Sequence, residues 1–216
     1  MLSHGQADYQ IKEAIDFFNY VKRQKGEMTF SPGMKDIEGS PYLDDEFIKG
    51  SVFTKSKTEF VGVPLRYNVY NDDIEFMAEE DVIKALAAPE MTEKIEFGDY
   101  KIMYLPFIVV KKIKNGYFIS LEEGKASLFS KPKVIFQEAK KAGAYVDAEP
   151  AKFIKKSDEY YIRIGMEAAR PVTSKSDLYD VFPDHKKEIK SFIKDNKVKP
   201  HKREKLKKLV QYYNSL

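Results

Sequence analysis

Val61-Gly62-Val63-Pro64-Leu65-Arg66-Tyr67-Asn68-Val69-Tyr70-Asn71-Asp72-Asp73-Ile74-Glu75-Phe76 carries a period of two, not 3.6. Successive side chains alternate across an extended chain, so Val63, Leu65, Tyr67 and Val69 share one face while Pro64, Arg66, Asn68 and Tyr70 share the other. Asn71, Asp72 and Asp73 are residues that accept turn geometry and bond to their own backbone. Ile74 and Phe76 then resume the alternation around Glu75, which predicts strand, tight turn, strand. Pro64 has no backbone donor, so a bend or an interruption in pairing is expected between Gly62 and Pro64.

Similar short strands separated by turn residues run from Phe47 to Ile164. Gly98-Asp99, Asn115-Gly116 and Glu123-Gly124 supply the expected hairpin turns. Before this region, Ile11, Ile15, Phe18 and Val21 recur at helical spacing and predict one helix over Asp8 to Lys25, followed by a Pro- and Gly-containing linker up to Tyr42. After Pro171 the helical period returns. Ser174 with Asp177 forms an N-cap pattern, Pro183 suits the first turn of a second helix bearing Ile189, Phe192 and Ile193, and Asn196 closes it. A third helix, Lys202 to Tyr213, carries Leu206, Leu209, Val210 and Tyr213 on one stripe.

The expected fold is therefore mainly β (α+β): a single twisted antiparallel meander, rolled or sandwich-like, with an N-terminal helix and two to three C-terminal helices. Its parts are residues 1–38 (helix and linker), 39–172 (antiparallel β domain) and 173–216 (a helical appendage packed on the β domain).

Composition removes several chemistries. The chain of 216 residues contains no cysteine, so thiol nucleophiles, disulfides, iron–sulfur clusters and cysteine zinc sites are excluded. No apolar run approaches the roughly 20 residues of a membrane helix. Only His4, His185 and His201 are present, without a G-x-S-x-G or a zinc spacing, so neither a serine-hydrolase triad nor a histidine metal site is expected. Neither a phosphate-binding loop nor G-x-G-x-x-G occurs, and no cofactor is expected.

Asp72, Asp73 and Glu75 are the compact carboxylate cluster. Two of them could share a proton or hold a hard cation, but Asn-Asp-Asp is also what a hairpin tip requires, and no metal is assigned. The acidic group Asp44-Asp45-Glu46 reads as a solvated loop. Arg66, Asn68 and Tyr70 lie on one strand face and are the candidate ligand-binding residues, suited to a carboxylate or a sugar. Ser174 to Leu216 holds 12 Lys or Arg against 6 Asp or Glu, although the whole chain is only +3. That tail could meet an acidic surface or a phosphate backbone, or simply present a solvated helix face.

Gly39-Ser40-Pro41-Tyr42-Leu43, Gly62-Val63-Pro64-Leu65-Arg66-Tyr67-Asn68, Gly116-Tyr117-Phe118, Asp158-Glu159-Tyr160-Tyr161, Phe182-Pro183-Asp184 and Tyr212-Tyr213-Asn214 together resemble a family of bacterial secreted or envelope-type proteins of unassigned function. The resemblance spans Gly39 to the C-terminus and carries no functional residues. It implies a mature exported form without its signal peptide, periplasmic, outer-envelope or secreted; the composition itself leaves the cytoplasm open.

The expected function is a non-catalytic envelope or periplasmic protein that binds another envelope protein or an extended ligand on its sheet, with no membrane span. The enzymatic alternative is a hydrolase using Asp72, Asp73 and Glu75. Nucleic-acid binding through the basic C-terminal helices is the remaining one.

Overall fold

The computed structural model describes residues 9–14, 16–17, 37–79, 82–140 and 148–216. The described residues are mainly β, with strands β1 (Gln10–Glu13), β2 (Ile48–Thr54), β3 (Thr58–Asn68), β4 (Asp73–Glu79), β5 (Val82–Ala85) and β6 (Thr92–Phe97) in the first part of the chain. Strands β7 (Tyr100–Val109), β8 (Lys112–Glu122), β9 (Ala126–Gln137), β10 (Lys152–Ile164) and β11 (Arg170–Pro171) follow, then helices α1 (Lys175–Asp180), α2 (Lys186–Asp195) and α3 (Arg203–Ser215). The chain divides into two compact units, residues 1–101 with 134–154 and residues 102–133 with 155–216, so the boundaries fall inside β7, β9 and β10.

In the first unit the strand order is β6-β2-β3-β4-β5, with β1 added parallel to the start of β3. The hairpin expected from Val61–Phe76 is present: Leu65 faces Phe76, Arg66 faces Glu75 and Tyr67 faces Ile74. The alternation also sets burial, since Val63, Leu65, Tyr67, Ile74 and Phe76 are all essentially inaccessible. The expected bend occurs where Pro64 requires it. Gly50 pairs with Val63 but Val52 with Phe60, so β3 carries one extra residue there, and Gly62 holds φ +69. That is the signature of a bulge with glycine in the left-handed region. Pro64 sits where β3 has left β1 at Val61 and has not yet met β4 at Leu65, so its missing donor breaks no pairing on that side.

Two expectations fail here. The helix predicted from Asp8 is not confirmed: Gln10–Glu13 form a strand, and most of the remaining span to Lys25 lies outside the described residues. Ile11 and Lys12 extend because their backbones pair with Glu59 and Phe60, a non-local contact that outweighs a weak local helical period. The meander is also interrupted. β6 lies beside β2, pairing Val52 with Ile95 and Gly50 with Phe97, which buries Ile95 and Phe97 against the central strands.

In the second unit the order β7-β8-β9-β10-β11 is sequential. Adjacent residues on one strand point to opposite faces, and here both faces are buried. Leu128 and Ile162 join Leu178, Ile189, Ile193, Leu206, Leu209, Val210 and Tyr213 from the three helices. Phe129 and Tyr161, one residue away, join Leu105, Phe107, Phe118 and Ala169 on the other side. Phe118 lies 5.0 Å from both Phe107 and Tyr161 in edge-on geometry, the arrangement that aromatic quadrupoles favour.

The helix signals are largely met. Ser174 accepts from the Asp177 amide while the Asp177 carboxylate accepts from the Ser174 amide, a complete capping box. Asn196 closes α2, but α2 starts after His185 in a left-handed conformation (φ 51), so Pro183 precedes the helix instead of opening it. Asn115-Gly116, expected as a turn, lies within β8. The two-residue turn is Val110-Lys111, both with positive φ, because Val109 pairs with Lys112 and Ile102 with Ile119. The register that buries Leu105, Phe107 and Phe118 decides the position of the turn.

Asn214, in the Tyr212-Tyr213-Asn214 ending, fastens α3 to the start of β9. Its side chain accepts from the Ala126 amide at 2.7 Å and donates to the Ala126 carbonyl at 2.9 Å. Gly124 makes room for this clasp, since a Cβ there would lie 2.3 Å from the Asn214 amide nitrogen. Asn214→Ala leaves two buried backbone groups unmatched and is expected to cost about 1–3 kcal/mol. Urea unfolding together with loss of exchange protection at the Ala126 amide measures it; retained protection would show that the clasp is dispensable.

Candidate functional site

Arg66, Asn68 and Glu75 of the opening hairpin are brought together, but inward. Glu75, 4% exposed, stands directly opposite Arg66 on the neighbouring strand. Its Oε2 accepts from Arg66 at 2.7 Å and its Oε1 from the Asn68 amide at 2.9 Å, so both oxygens are engaged. The chain from Ser40 to Phe47 covers this face. Tyr42 bridges to Asn68, the Leu43 amide donates to the Tyr67 carbonyl, and Arg66 donates to the Asp45 carbonyl at 3.0 Å. The guanidinium carbon of Arg66 sits 3.6 Å from the Tyr42 ring centre and 4.3 Å from that of Phe47. Burial, followed by the charge on Glu75, raises the Tyr42 phenol above its ordinary pKa.

Arg66 and Asn68 are thus joined to a carboxylate of their own chain. Tyr70 remains 45% exposed, with Phe153 and Phe136 at 5.2 and 6.4 Å from its ring. The three carboxylates do different things. Asp72 accepts from the Tyr67 hydroxyl at 2.6 Å, Glu75 neutralises Arg66, and Asp73 is pushed up by burial, then by the charges on Asp72 and Glu75. Among the described residues no group of three or more His, Cys, Asp or Glu side chains is placed to hold a metal.

A second site is assembled in the other unit. A cavity of about 560 Å³ opens in front of α3, lined by Tyr160, Lys197, Lys199, His201, Lys202, Arg203, Glu204 and Lys205. Its lining holds five cationic residues, one histidine and one carboxylate. The segment 197–202 is pinned from below by Val198, which is buried in the helical core, so the lysines on either side of it are turned outward. Lys197 takes a left-handed conformation (φ 49) as the chain leaves α2. Lys205 donates to the Asn196 and Lys197 carbonyls and ties the loop to α3, whereas Lys197, Lys199 and Lys202 pair with no carboxylate among the described residues. Tyr160 forms the sheet side of the cavity, and burial raises its phenol, with the Asp158 charge adding to the effect.

The basic bias of the tail was visible in the sequence, yet the cavity was not. Its one wall from outside residues 197–205, Tyr160, is supplied from β10, some 40 residues upstream by sequence number. Tyr161 beside it is buried, as a strand alternation requires, and Tyr212 stacks on Phe192 at 4.5 Å while Tyr213 is wholly buried. Among the described residues no helix is long and apolar enough to cross a membrane. No protein-family model matches the chain, and no curated protein or solved structure is significantly similar to it.

Proposed function

We propose that this chain is a non-catalytic binding protein of the cell envelope or its surroundings, taking an extended anionic ligand at the cavity in front of α3. The observation that carries the reading is the concentration of Lys197, Lys199, Lys202, Arg203 and Lys205 around one concave surface with Glu204 as the lone acid. Clustered cations lower the potential energy of an approaching polyanion and release its counterions on contact. Tyr160 offers an aromatic face beside them for a sugar or another flat group. The envelope setting rests on the family resemblance of the motifs from Gly39 to Asn214.

The experiment is retention of the purified full chain on poly(glycerol phosphate) and on duplex DNA at graded salt. With about four phosphate contacts, affinity should drop roughly a hundredfold between about 50 and 200 mM salt. The triple variant Lys199→Glu/Lys202→Glu/Arg203→Glu should not be retained, while its thermal midpoint stays within a few degrees. Equal retention of wild type and variant would remove the cavity from consideration. Preference for DNA over the glycerol phosphate polymer would turn the reading to nucleic-acid binding.

A further inference from the structure

The β7–β8 hairpin ends in a feature that neither the core nor the basic cavity uses. Its last anchored point is the contact with Ala169, where Phe107 bridges to Ala169 and the Ile108 amide donates to the Ala169 carbonyl at 2.9 Å. Beyond it, residues 110–115 are all exposed, and burial returns only at Gly116. The tip nevertheless carries large apolar side chains: Val110 is 90% exposed and Ile113 69%. Lys111, Lys112 and Lys114 alternate with them, and no Asp or Glu occurs anywhere between Ile102 and Leu121.

The turn residue sharpens the point. Val110 holds φ +46 and Lys111 φ +65, positions in a two-residue hairpin that Asn and Gly occupy most easily. A β-branched residue there is strained, and its side chain gains nothing from the rest of the protein because it is almost fully exposed. An Asn-Gly pair exists five residues on, at Asn115-Gly116, within β8 instead of at the turn. The chain therefore places valine at the projecting apex against local preference. Such a placement is accounted for by a contact made outside the molecule.

We infer that the Val110–Lys114 tip is a docking element for an anionic lipid surface. Val110 and Ile113 would enter the boundary between headgroups and acyl chains, while Lys111, Lys112 and Lys114 reach back to the phosphates with their aliphatic stems buried. Three lysines without a neighbouring acid fit a negative surface and repel a second copy of the same tip, which makes the lipid surface the favoured occupant. The inference stands apart from the polyanion cavity, which lies on different elements.

The test is co-sedimentation of the full chain with vesicles of phosphatidylcholine alone and of phosphatidylcholine with phosphatidylglycerol. Binding to the anionic vesicles is expected to exceed binding to the neutral ones by roughly a hundredfold, the combined effect of three lysines at the surface. Val110→Asn/Ile113→Ser relieves the turn and removes the apolar contact, so it should keep or raise the thermal midpoint yet weaken vesicle binding about tenfold or more. Lys199→Glu/Lys202→Glu/Arg203→Glu should leave most vesicle binding in place. No sedimentation of the wild type with anionic vesicles would overturn the inference, as would loss of binding in the cavity variant with none in the tip variant. A tip-dependent self-association seen by analytical ultracentrifugation without vesicle binding would overturn it equally.

Discussion

Glu75→Leu is expected to destabilise the chain by about 3–5 kcal/mol, the effect of removing one partner from a buried ion pair. The carboxylate accepts from Arg66 and Asn68 together, and both donors are deeply covered, with Asn68 wholly inaccessible. Its removal strands a guanidinium between the Tyr42 and Phe47 rings, where the Asp45 carbonyl is the remaining acceptor described for it. It also strands the side-chain amide of Asn68, whose own carbonyl oxygen must still accept from the Asn71 amide to hold the turn. The double replacement Arg66→Met/Glu75→Leu should recover much of the loss, because an apolar pair of similar volume removes the desolvation cost along with the attraction. A urea-unfolding double-mutant cycle decides the matter. Additive single effects would show that Arg66 and Glu75 act independently, which their 2.7 Å separation does not allow.

Phe118→Ala should cost about 3–5 kcal/mol for a different reason, the loss of aromatic burial and the cavity left behind. Phe118 is inaccessible and touches three rings, Phe107 and Tyr161 at 5.0 Å and Phe129 at 6.1 Å. The same substitution has a spectroscopic consequence. Burial, reinforced by the Glu159 charge and hydrogen bond, pushes the Tyr161 phenol up to about 12. A raised phenol pKa stabilises the fold fully below the ordinary tyrosine value, and that contribution is lost as pH climbs toward the folded value. Opening the cluster to water in Phe118→Ala should bring the Tyr161 ionisation down toward the ordinary value and so shrink the alkaline loss of stability that this phenol causes, since that loss spans only the interval between the unfolded and folded values. Ultraviolet titration of the variant beside Tyr161→Phe isolates this phenol; an unchanged high-pH transition in Phe118→Ala would show that Phe118 does not shield it.

Much of the architecture is legible because its causes are local. The period of two in Val63, Leu65 and Tyr67 picks out the buried face of β3, and Gly62 with Pro64 marks the bulge. Leu206, Leu209, Val210 and Tyr213 name the buried stripe of α3, and Ser174 with Asp177 names the cap of α1. The misses share the opposite origin. Asn115-Gly116 reads as a turn, yet β8 runs through it, just as β9 runs through Lys131-Pro132 and β10 through Ser157-Asp158, with Ser130 donating to Asp158 and Lys133 paired with Glu159. Those contacts join residues about 26–28 positions apart, beyond any window of local periodicity.

For the sites the division is sharper. Alternation places Arg66, Asn68 and Tyr70 on one face, but whether that face meets solvent depends on what covers it. The segment Ser40–Phe47, with its Tyr42 and Phe47 rings against Arg66, turns a polar strand face into a buried ion pair. Likewise the lysine-rich tail is plain in the sequence, whereas its concavity exists only because Val198 is drawn into the core and Tyr160 arrives from β10. Sequence alone determined the strand-rich character of Phe47 to Ile164, the C-terminal helical stripes, the bulge and the surplus of cations near the C-terminus, since each follows from neighbours within a few residues. Tertiary structure decided that Gln10–Glu13 extend as β1, where the turn at Val110-Lys111 falls and how Arg66 and Glu75 are covered. Each of these depends on which distant surface is available to bury an apolar side chain or satisfy a buried polar one.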